Sequence, residues 1–139
     1  MIAYASRTGT GRNLDALRVA GWRLFAAPNQ LHRYASVQPV WRDGSPARYA
    51  LDNGAWSAHT AGGAFDEELF LGAFGALGAG ADFVVLPDIV AGGLKSLAYS
   101  LSWLPRLEHP HFLLAVQDGM TPEDVRPHLG QRVGVAVGG

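Results

Sequence analysis

The sequence predicts an α/β domain in which parallel strands alternate with helices. Short apolar runs recur along the chain, each run is followed by a polar or glycine-rich turn, and helix-like segments separate the runs. Hydrophobic residues make up 48% of the 139 residues, which is enough for a buried core, and the 17% of charged residues is too low for a disordered chain. We therefore expect one folded domain that spans residues 1–139.

Six apolar runs are the predicted strands. They comprise residues 2–6, 22–27, 49–51, 82–86, 112–116 and 133–137. The first run is mostly apolar, and we expect it to be buried on both faces of the sheet.

The segments between these runs carry helix signals. Helices are predicted at residues 14–21, from 66 to 78 or 80, at 94–104 and after Thr121. Asp66 is followed by two acidic residues and Thr121 by Pro122, and both patterns are typical of helix starts. Residues 29–48 show little periodicity and are predicted to form a long irregular connection.

Two architectures fit parallel strands that alternate with helices. One is an eight-stranded (β/α) barrel, of which this chain would be the N-terminal three quarters, because it ends directly after its sixth predicted strand. The other is an open doubly wound sheet of the flavodoxin-like kind. The strand spacing favours the partial barrel. Because an open barrel exposes apolar strand edges, we also expect self-association.

Composition narrows the classes of function. The chain contains no cysteine, which excludes disulfides and thiolate zinc sites in these residues and favours a cytoplasmic setting. The five histidines are scattered, so no metal site is predicted, and no apolar run approaches the ~20 residues that span a membrane. Arginine supplies every basic residue except Lys95, and its dispersal along the chain is typical of ion pairs and solvated surface.

Polar or glycine residues follow four of the predicted strands. They are Asp52, Asn53 and Gly54 after the third strand, Asp88 after the fourth, Gln117 after the fifth, and Gly138 and Gly139 after the sixth. Because side chains just past the carboxyl ends of the strands line the active site in parallel α/β folds, these are the predicted site residues.

Several of these residues also have a structural explanation. Asn53-Gly54 is a common hairpin signal, although the residues after it do not resemble a strand. Asp88 could cap the next helix, but that helix is predicted to begin several residues later, and a carboxylate after a buried strand is costly unless it is paired or used. Gln117 can donate and accept hydrogen bonds, which suits the edge of a heterocycle, whereas Asp118 fits a turn.

A rival site is predicted where the first strand meets its helix. The loop Ser6-Arg7-Thr8-Gly9-Thr10-Gly11 places hydroxyl groups and glycines at a helix N-terminus, which is a typical anion-binding arrangement. It resembles the loop with which flavodoxins bind the phosphate of flavin mononucleotide (FMN). An FMN-binding electron-transfer module is therefore one alternative, and another sugar- or phosphate-processing barrel is a second.

Taken in order, the strand-end residues resemble the tRNA-guanine transglycosylase superfamily, and more specifically its DNA-acting branch, the often phage-linked deoxypurine-in-DNA protein A type. The Asp-Ser-Gly-Gly turn of the superfamily is similar to Asp52-Asn53-Gly54-Ala55, and its base-recognising Asp to Asp88. Its Val-Gln-Gly segment is similar to residues 116–119, where Asp118 interrupts the glutamine-glycine pair, and its glycine-rich strand end to residues 134–139. The resemblance covers about residues 49–139.

The resemblance implies a TIM barrel and a base-exchange reaction in which a 7-deazaguanine replaces guanine in nucleic acid, here DNA. It implies that Asp88 binds the guanine N1–H and amine, that Gln117 and the backbone at Gly138 bind O6, and that Asp52 positions the departing base or acts as an acid or base. The implied partners are a nucleobase and DNA, without a cofactor.

The resemblance also implies a missing group. The nucleophilic Asp of the superfamily, which attacks the sugar carbon, sits on a later strand and is therefore expected beyond residue 139. We accordingly expect this chain by itself to be catalytically incomplete.

Overall fold

The computed structural model of the protein describes residues 1–28 and 38–137. Gly138 and Gly139, both predicted site residues, lie outside the described residues, as does the stretch 29–37 of the predicted irregular connection. The remainder of that connection contains a turn, which an isolated antiparallel bridge between Val40 and Pro46 closes.

Six strands form one parallel sheet, and their order in the sheet is their order in the chain. They are β1 (Tyr4–Ser6), β2 (Arg23–Ala26), β3 (Tyr49–Leu51), β4 (Val84–Val85), β5 (Phe112–Val116) and β6 (Val133–Val137). Successive barrel strands follow this order, whereas a flavodoxin-like sheet has the order 2-1-3-4-5. The predicted parallel α/β class is confirmed, and the strand order differs from that of the flavodoxin-like alternative. The sheet is open rather than closed into a barrel, so β1 and β6 are its edges.

Five helices connect the strands in the described residues. They are α1 (Gly11–Val19), α2 (Ala55–Thr60), α3 (Glu67–Leu77), α4 (Leu94–Trp103) and α5 (Pro122–Val125). Two of the predicted starts are fixed by side-chain caps: the Asp66 carboxylate accepts from the Leu69 N–H at 2.9 Å, and Thr121 forms a capping box with Asp124. None of these helices is both long and apolar enough to cross a membrane.

The core lies between the sheet and the helices. Leu24 and Tyr49 are aligned on β2 and β3 and are almost fully buried. The Tyr49 hydroxyl donates to the Leu77 carbonyl at the end of α3 at 2.8 Å, which shows that this face of the sheet meets the helices. Further out, the rings of Phe70 and Trp103 pack edge to face at 5.5 Å and join α3 to α4.

Two strand predictions need correction. β1 was predicted to be buried on both faces, but it is an edge strand on which Ser6 is exposed and Tyr4 is only half buried. The helix that follows it, α1, has no fully buried residue. β4 is limited to Val84–Val85 rather than the predicted residues 82–86, although the Asp82 N–H still donates to the Tyr49 carbonyl of β3 at 2.7 Å.

The other edge of the sheet is apolar and open. Val135 and Val137 on β6 are 42% and 83% exposed. Such an edge is a template for pairing with another chain, and self-association remains a prediction.

Candidate functional site

The predicted site residues follow three neighbouring strands at one end of the sheet. Asp52 and Asn53 follow β3, Asp88 lies just past β4, and Gln117 follows β5 directly. Because β3, β4 and β5 are parallel neighbours, their carboxyl ends share one edge, and these residues lie at the same end of the sheet.

Asp88 is the centre of this group. It is only 9% exposed, and its carboxylate accepts hydrogen bonds from two neutral amides. The Asn53 Nδ2 donates to Oδ1 at 2.6 Å, and the Gln117 Nε2 donates to Oδ2 at 2.6 Å. Each carboxylate oxygen keeps a further lone pair for another donor.

Burial of Asp88 without a cation changes its acidity. Desolvation of the carboxylate raises the pKa of Asp88 above its usual value, and the hydrogen bonds from Asn53 and Gln117 offset this rise only in part. Buried carboxylates that have a raised pKa and neutral hydrogen-bond partners are typical of functional sites.

Asn53 holds the site together from β3. Its Nδ2 also donates to the Leu86 carbonyl at 2.7 Å, and its Oδ1 accepts from the Ala55 N–H at 2.8 Å. The side chain therefore ties the end of β3 to the segment that leaves β4, and it starts α2. The hairpin explanation for Asn53-Gly54 is wrong, because a helix follows immediately.

Gly54 is required by the backbone. Its φ is +79°, a left-handed conformation that strongly favours glycine. A Cβ at this position would lie 3.2 Å from the Pro28 Cδ. The space beside the Gly54 Cα is therefore occupied by the Pro28 ring.

Asp52 is a second carboxylate with a perturbed acidity. Burial raises the pKa of Asp52, the backbone N–H groups of Asn53 and Gly54 lower it in part, and the negative charge of Asp88 raises it again. Burial is the largest of these contributions to the pKa of Asp52, and the charge of Asp88 is the smallest.

Asp88 lies in the wall of a cleft of about 370 Å³. The aromatic side chains of Phe65, Tyr99 and His59 form other parts of this wall. A neighbouring cleft of about 310 Å³ is lined by Asn53 and shares the wall at Phe65. A carboxylate beside aromatic surfaces is an arrangement that can bind a flat, hydrogen-bond-donating ligand.

Gln117 lines a different groove, and both N–H groups of its amide are used within the protein. It lines a groove of about 530 Å³ that is largely apolar. Its Nε2 donates to Ser96 Oγ at 3.1 Å as well as to Asp88, and its Oε1 accepts from the Gly92 N–H at 3.0 Å. Asp118 beside it is exposed, and Gly119 has a φ of +89°, as a turn requires.

Sequence reasoning missed Ser96 and the loop of residues 89–93. Ser96 is fully buried in α4 and accepts from the Ile89 N–H at 3.0 Å. The sequence signal was weak, because Ser96 is one of three serines in this helix. The helix begins at Leu94, so Asp88 does not cap it and the capping explanation is wrong.

The remaining predicted positions contribute less. At the rival loop, the Thr10 N–H donates to Thr8 Oγ1 at 3.1 Å, and Thr10 precedes α1 without a side-chain cap. On β6, a Cβ at Gly134 would lie 3.1 Å from Leu113 Cδ2, so close packing already explains this glycine. Within residues 1–28 and 38–137, no group of three His, Asp or Glu side chains is placed to hold a metal ion.

Comparisons with family models, with curated proteins and with solved structures find no match for this chain. No family assignment follows from them, and the functional proposal depends on the site itself and on its resemblance at the strand ends.

Proposed function

We propose that the carboxyl end of the sheet binds a guanine-type base and that the chain derives from a base-exchange glycosyltransferase that acts on DNA. One observation carries the proposal: the buried Asp88 carboxylate is held by neutral amides in the wall of a cleft with aromatic sides. The order of the strand-end residues, which resembles that of the transglycosylases, supports it.

The chemistry of guanine matches the open positions on Asp88. Guanine presents N1–H and an exocyclic amine side by side, and a carboxylate accepts such a pair with one bond to each oxygen. Asn53 and Gln117 each use one lone pair on a different carboxylate oxygen, so one lone pair on each oxygen remains for the base. Phe65 and Tyr99 supply flat surfaces against which the base packs.

Asp52 is assigned to proton transfer. Because its pKa is raised, it holds a proton at a higher pH than an exposed aspartate does, and it can pass that proton to a departing base. The nucleophile that attacks the sugar carbon is, by the resemblance, an aspartate beyond residue 139.

A DNA substrate requires the base to leave the helical stack. Extrusion of a base costs a few kcal/mol, which the pocket repays through hydrogen bonds to the base edge and packing on its faces. The 7-deazaguanine that enters in exchange presents the same N1–H and amine edge. In this proposal Asp88 therefore binds both bases through the same N1–H and amine edge.

Ligand selectivity tests the proposal. Isothermal titration of the protein with guanine should give binding, and adenine should bind at least about tenfold more weakly, because it lacks N1–H and leaves a buried acceptor unpaired. Asp88→Asn should remove the preference, since an amide cannot accept both guanine donors. Asp118→Asn, an exposed neighbour of the site, is the matched control and should keep the preference.

Two results would overturn the proposal. One is equal binding of guanine and adenine by the wild-type protein. The other is tight binding of FMN that is lost when the hydroxyl groups of Thr8 and Thr10 are removed, which would instead support the flavin alternative.

A further inference from the structure

The Gln117 side chain has no donor left for a ligand. An amide nitrogen carries two N–H groups, and both are used, one on Asp88 Oδ2 at 2.6 Å and one on Ser96 Oγ at 3.1 Å. The Oε1 accepts from the Gly92 N–H at 3.0 Å. A carboxylate on one side and an N–H donor on the other fix which end of the amide carries oxygen.

The partners of Gln117 belong to the segment that follows β4. Asp88 precedes the loop of residues 89–93, Gly92 is part of it, and Ser96 holds the Ile89 N–H at its start. Gln117 thus fastens the end of β5 to this loop at two points, through Gly92 directly and through Ser96.

The loop is held in an unusual conformation. Ala91 has a φ of +56° and is, among the described residues, the only one other than glycine with a positive φ. This region costs a residue with a Cβ about 1 kcal/mol or more, so surrounding contacts must hold it there. Gly93 also lies tight against the next loop, since a Cβ on it would be 3.3 Å from the Asp118 carbonyl oxygen.

We propose that Gln117 is a positioning residue, which orients the Asp88 carboxylate and fastens the loop of residues 89–93, and that it does not contact the base itself. The inference rests on the proposed function only in taking Asp88 as the base-binding group. It differs from the role implied by the resemblance, in which Gln117 binds the base at O6.

Two variants of Gln117 separate its two tasks. Gln117→Ala removes both the donor to Asp88 and one of the two acceptors of the Gly92 N–H, which also donates to the Ile89 carbonyl at 2.9 Å. Gln117→Glu keeps an acceptor for the Gly92 N–H, but it places a carboxylate against Asp88. Asp118→Asn is the control, because it alters the adjacent exposed side chain and leaves these contacts intact.

The measurements are made on the ligand-free protein by NMR. The chemical shift of the Asp88 carboxyl carbon is measured as a function of pH, and its signal is assigned by its loss in Asp88→Asn. The hydrogen-exchange rate of the Gly92 amide is measured as well. Gln117→Ala should raise the pKa of Asp88, because a donor to the charged form is lost, and should speed Gly92 exchange about fivefold. Gln117→Glu should raise the pKa of Asp88 further and leave Gly92 exchange near the wild-type rate.

The outcomes are decisive without a ligand. If Gln117→Ala changes neither the Asp88 titration nor Gly92 exchange, the positioning role is wrong. If that variant also loses guanine binding while both readouts stay unchanged, Gln117 contacts the base instead. A wild-type protein that binds no guanine contradicts the proposed function alone, because the ligand-free readouts still test the role of Gln117.

Discussion

Asp82 and Asp88 stand on either side of the two-residue strand β4, and their surroundings differ in charge. The Asp82 carboxylate meets two cations, with Arg23 Nη1 at 2.9 Å and Arg48 Nη2 at 2.6 Å, and accepts from the Tyr4 hydroxyl at 2.8 Å. Asp88, at the opposite end of the sheet, meets the amides of Asn53 and Gln117.

The two environments move the acidity of the carboxyl groups in opposite directions. Burial raises the pKa of Asp82, but the hydrogen bonds from Tyr4, Arg48 and Arg23 outweigh it, so the net pKa is lowered. At Asp88, burial wins over the two amides and the pKa is raised. Neutral amides orient a carboxylate without neutralising it, whereas two arginines satisfy its charge.

Asp82 and Asp88 lie at opposite ends of the parallel strands, and the two ends have different roles in folds of this kind. In parallel α/β barrels the amino ends of the strands serve stability and the carboxyl ends carry the chemistry. The arginine-bound Asp82 joins β1, β2 and the segment before β3 to the start of β4. Asp88 keeps acceptor capacity beyond its bonds to Asn53 and Gln117.

The largest expected difference between the two carboxylates is in stability. Asp82→Asn should lower the free energy of unfolding by about 2 kcal/mol, because it leaves the partly buried Arg23 guanidinium without a counter-charge and weakens the hydrogen bond from the Tyr4 hydroxyl. Asp88→Asn should change it by less than about 1 kcal/mol, because it removes a buried charge that no cation compensates. Urea denaturation at pH 7 measures both, and equal losses would contradict the comparison.

The carboxyl end should depend on amide geometry rather than on charge. Asn53→Ala should cost about 2 kcal/mol, since the Leu86 carbonyl and the Ala55 N–H both lose a buried partner. The loss should be the same in 0.1 M and 1 M salt. Asn13→Ala, on the exposed face of α1, is the control and should be close to neutral. A strong salt dependence at Asn53 would show that charge matters there.

The pH dependence of stability should have opposite signs at the two carboxylates. The folded pKa of Asp82 is lowered from 3.8, so its stabilisation is present above 3.8 and is lost as the pH falls through the folded value. The folded pKa of Asp88 is raised from 3.8, so its contribution is complete below 3.8 and is lost as the pH rises through the folded value.

Wild type should therefore lose its advantage over Asp82→Asn as the pH falls below 3.8. As the pH decreases from neutral towards 3.8, the wild-type protein should become more stable relative to Asp88→Asn. Denaturant midpoints measured across this range for the three proteins test both signs. A parallel pH profile for the two variants would mean that the carboxylates sit in equivalent environments.

The smallest expected effect concerns Arg48. Its side chain is 68% exposed, so its ion pair with Asp82 is largely screened by solvent. Arg48→Ala should cost about 0.5 kcal/mol, and most of that loss should disappear in 1 M salt. Arg42→Ala, which removes the pair of an equally exposed arginine with the more exposed Asp15, should cost no more than Arg48→Ala. A loss at Arg48 that persists in high salt would show that Asp82 needs both arginines.

Local sequence patterns were sufficient for several elements. The bounds of β3, β5 and β6 agree with the predicted runs, because strands that alternate with turn residues carry their own signal over a few residues. The starts of α3 and α5 were visible for the same reason, since Asp66 and Thr121 satisfy backbone groups only three residues away.

The tertiary structure decided what the sequence pattern left open. Which strand is an edge depends on neighbours far along the chain, and this corrected the burial predicted for β1. The contact between Asp88 and Gln117 joins residues 29 positions apart, and that between Asn53 and Asp88 joins residues 35 apart. The sequence by itself placed these polar groups at strand ends. Only the parallel sheet, by bringing those ends to one edge, decided that the amides bind the carboxylate, because no local pattern encodes contacts at such separations.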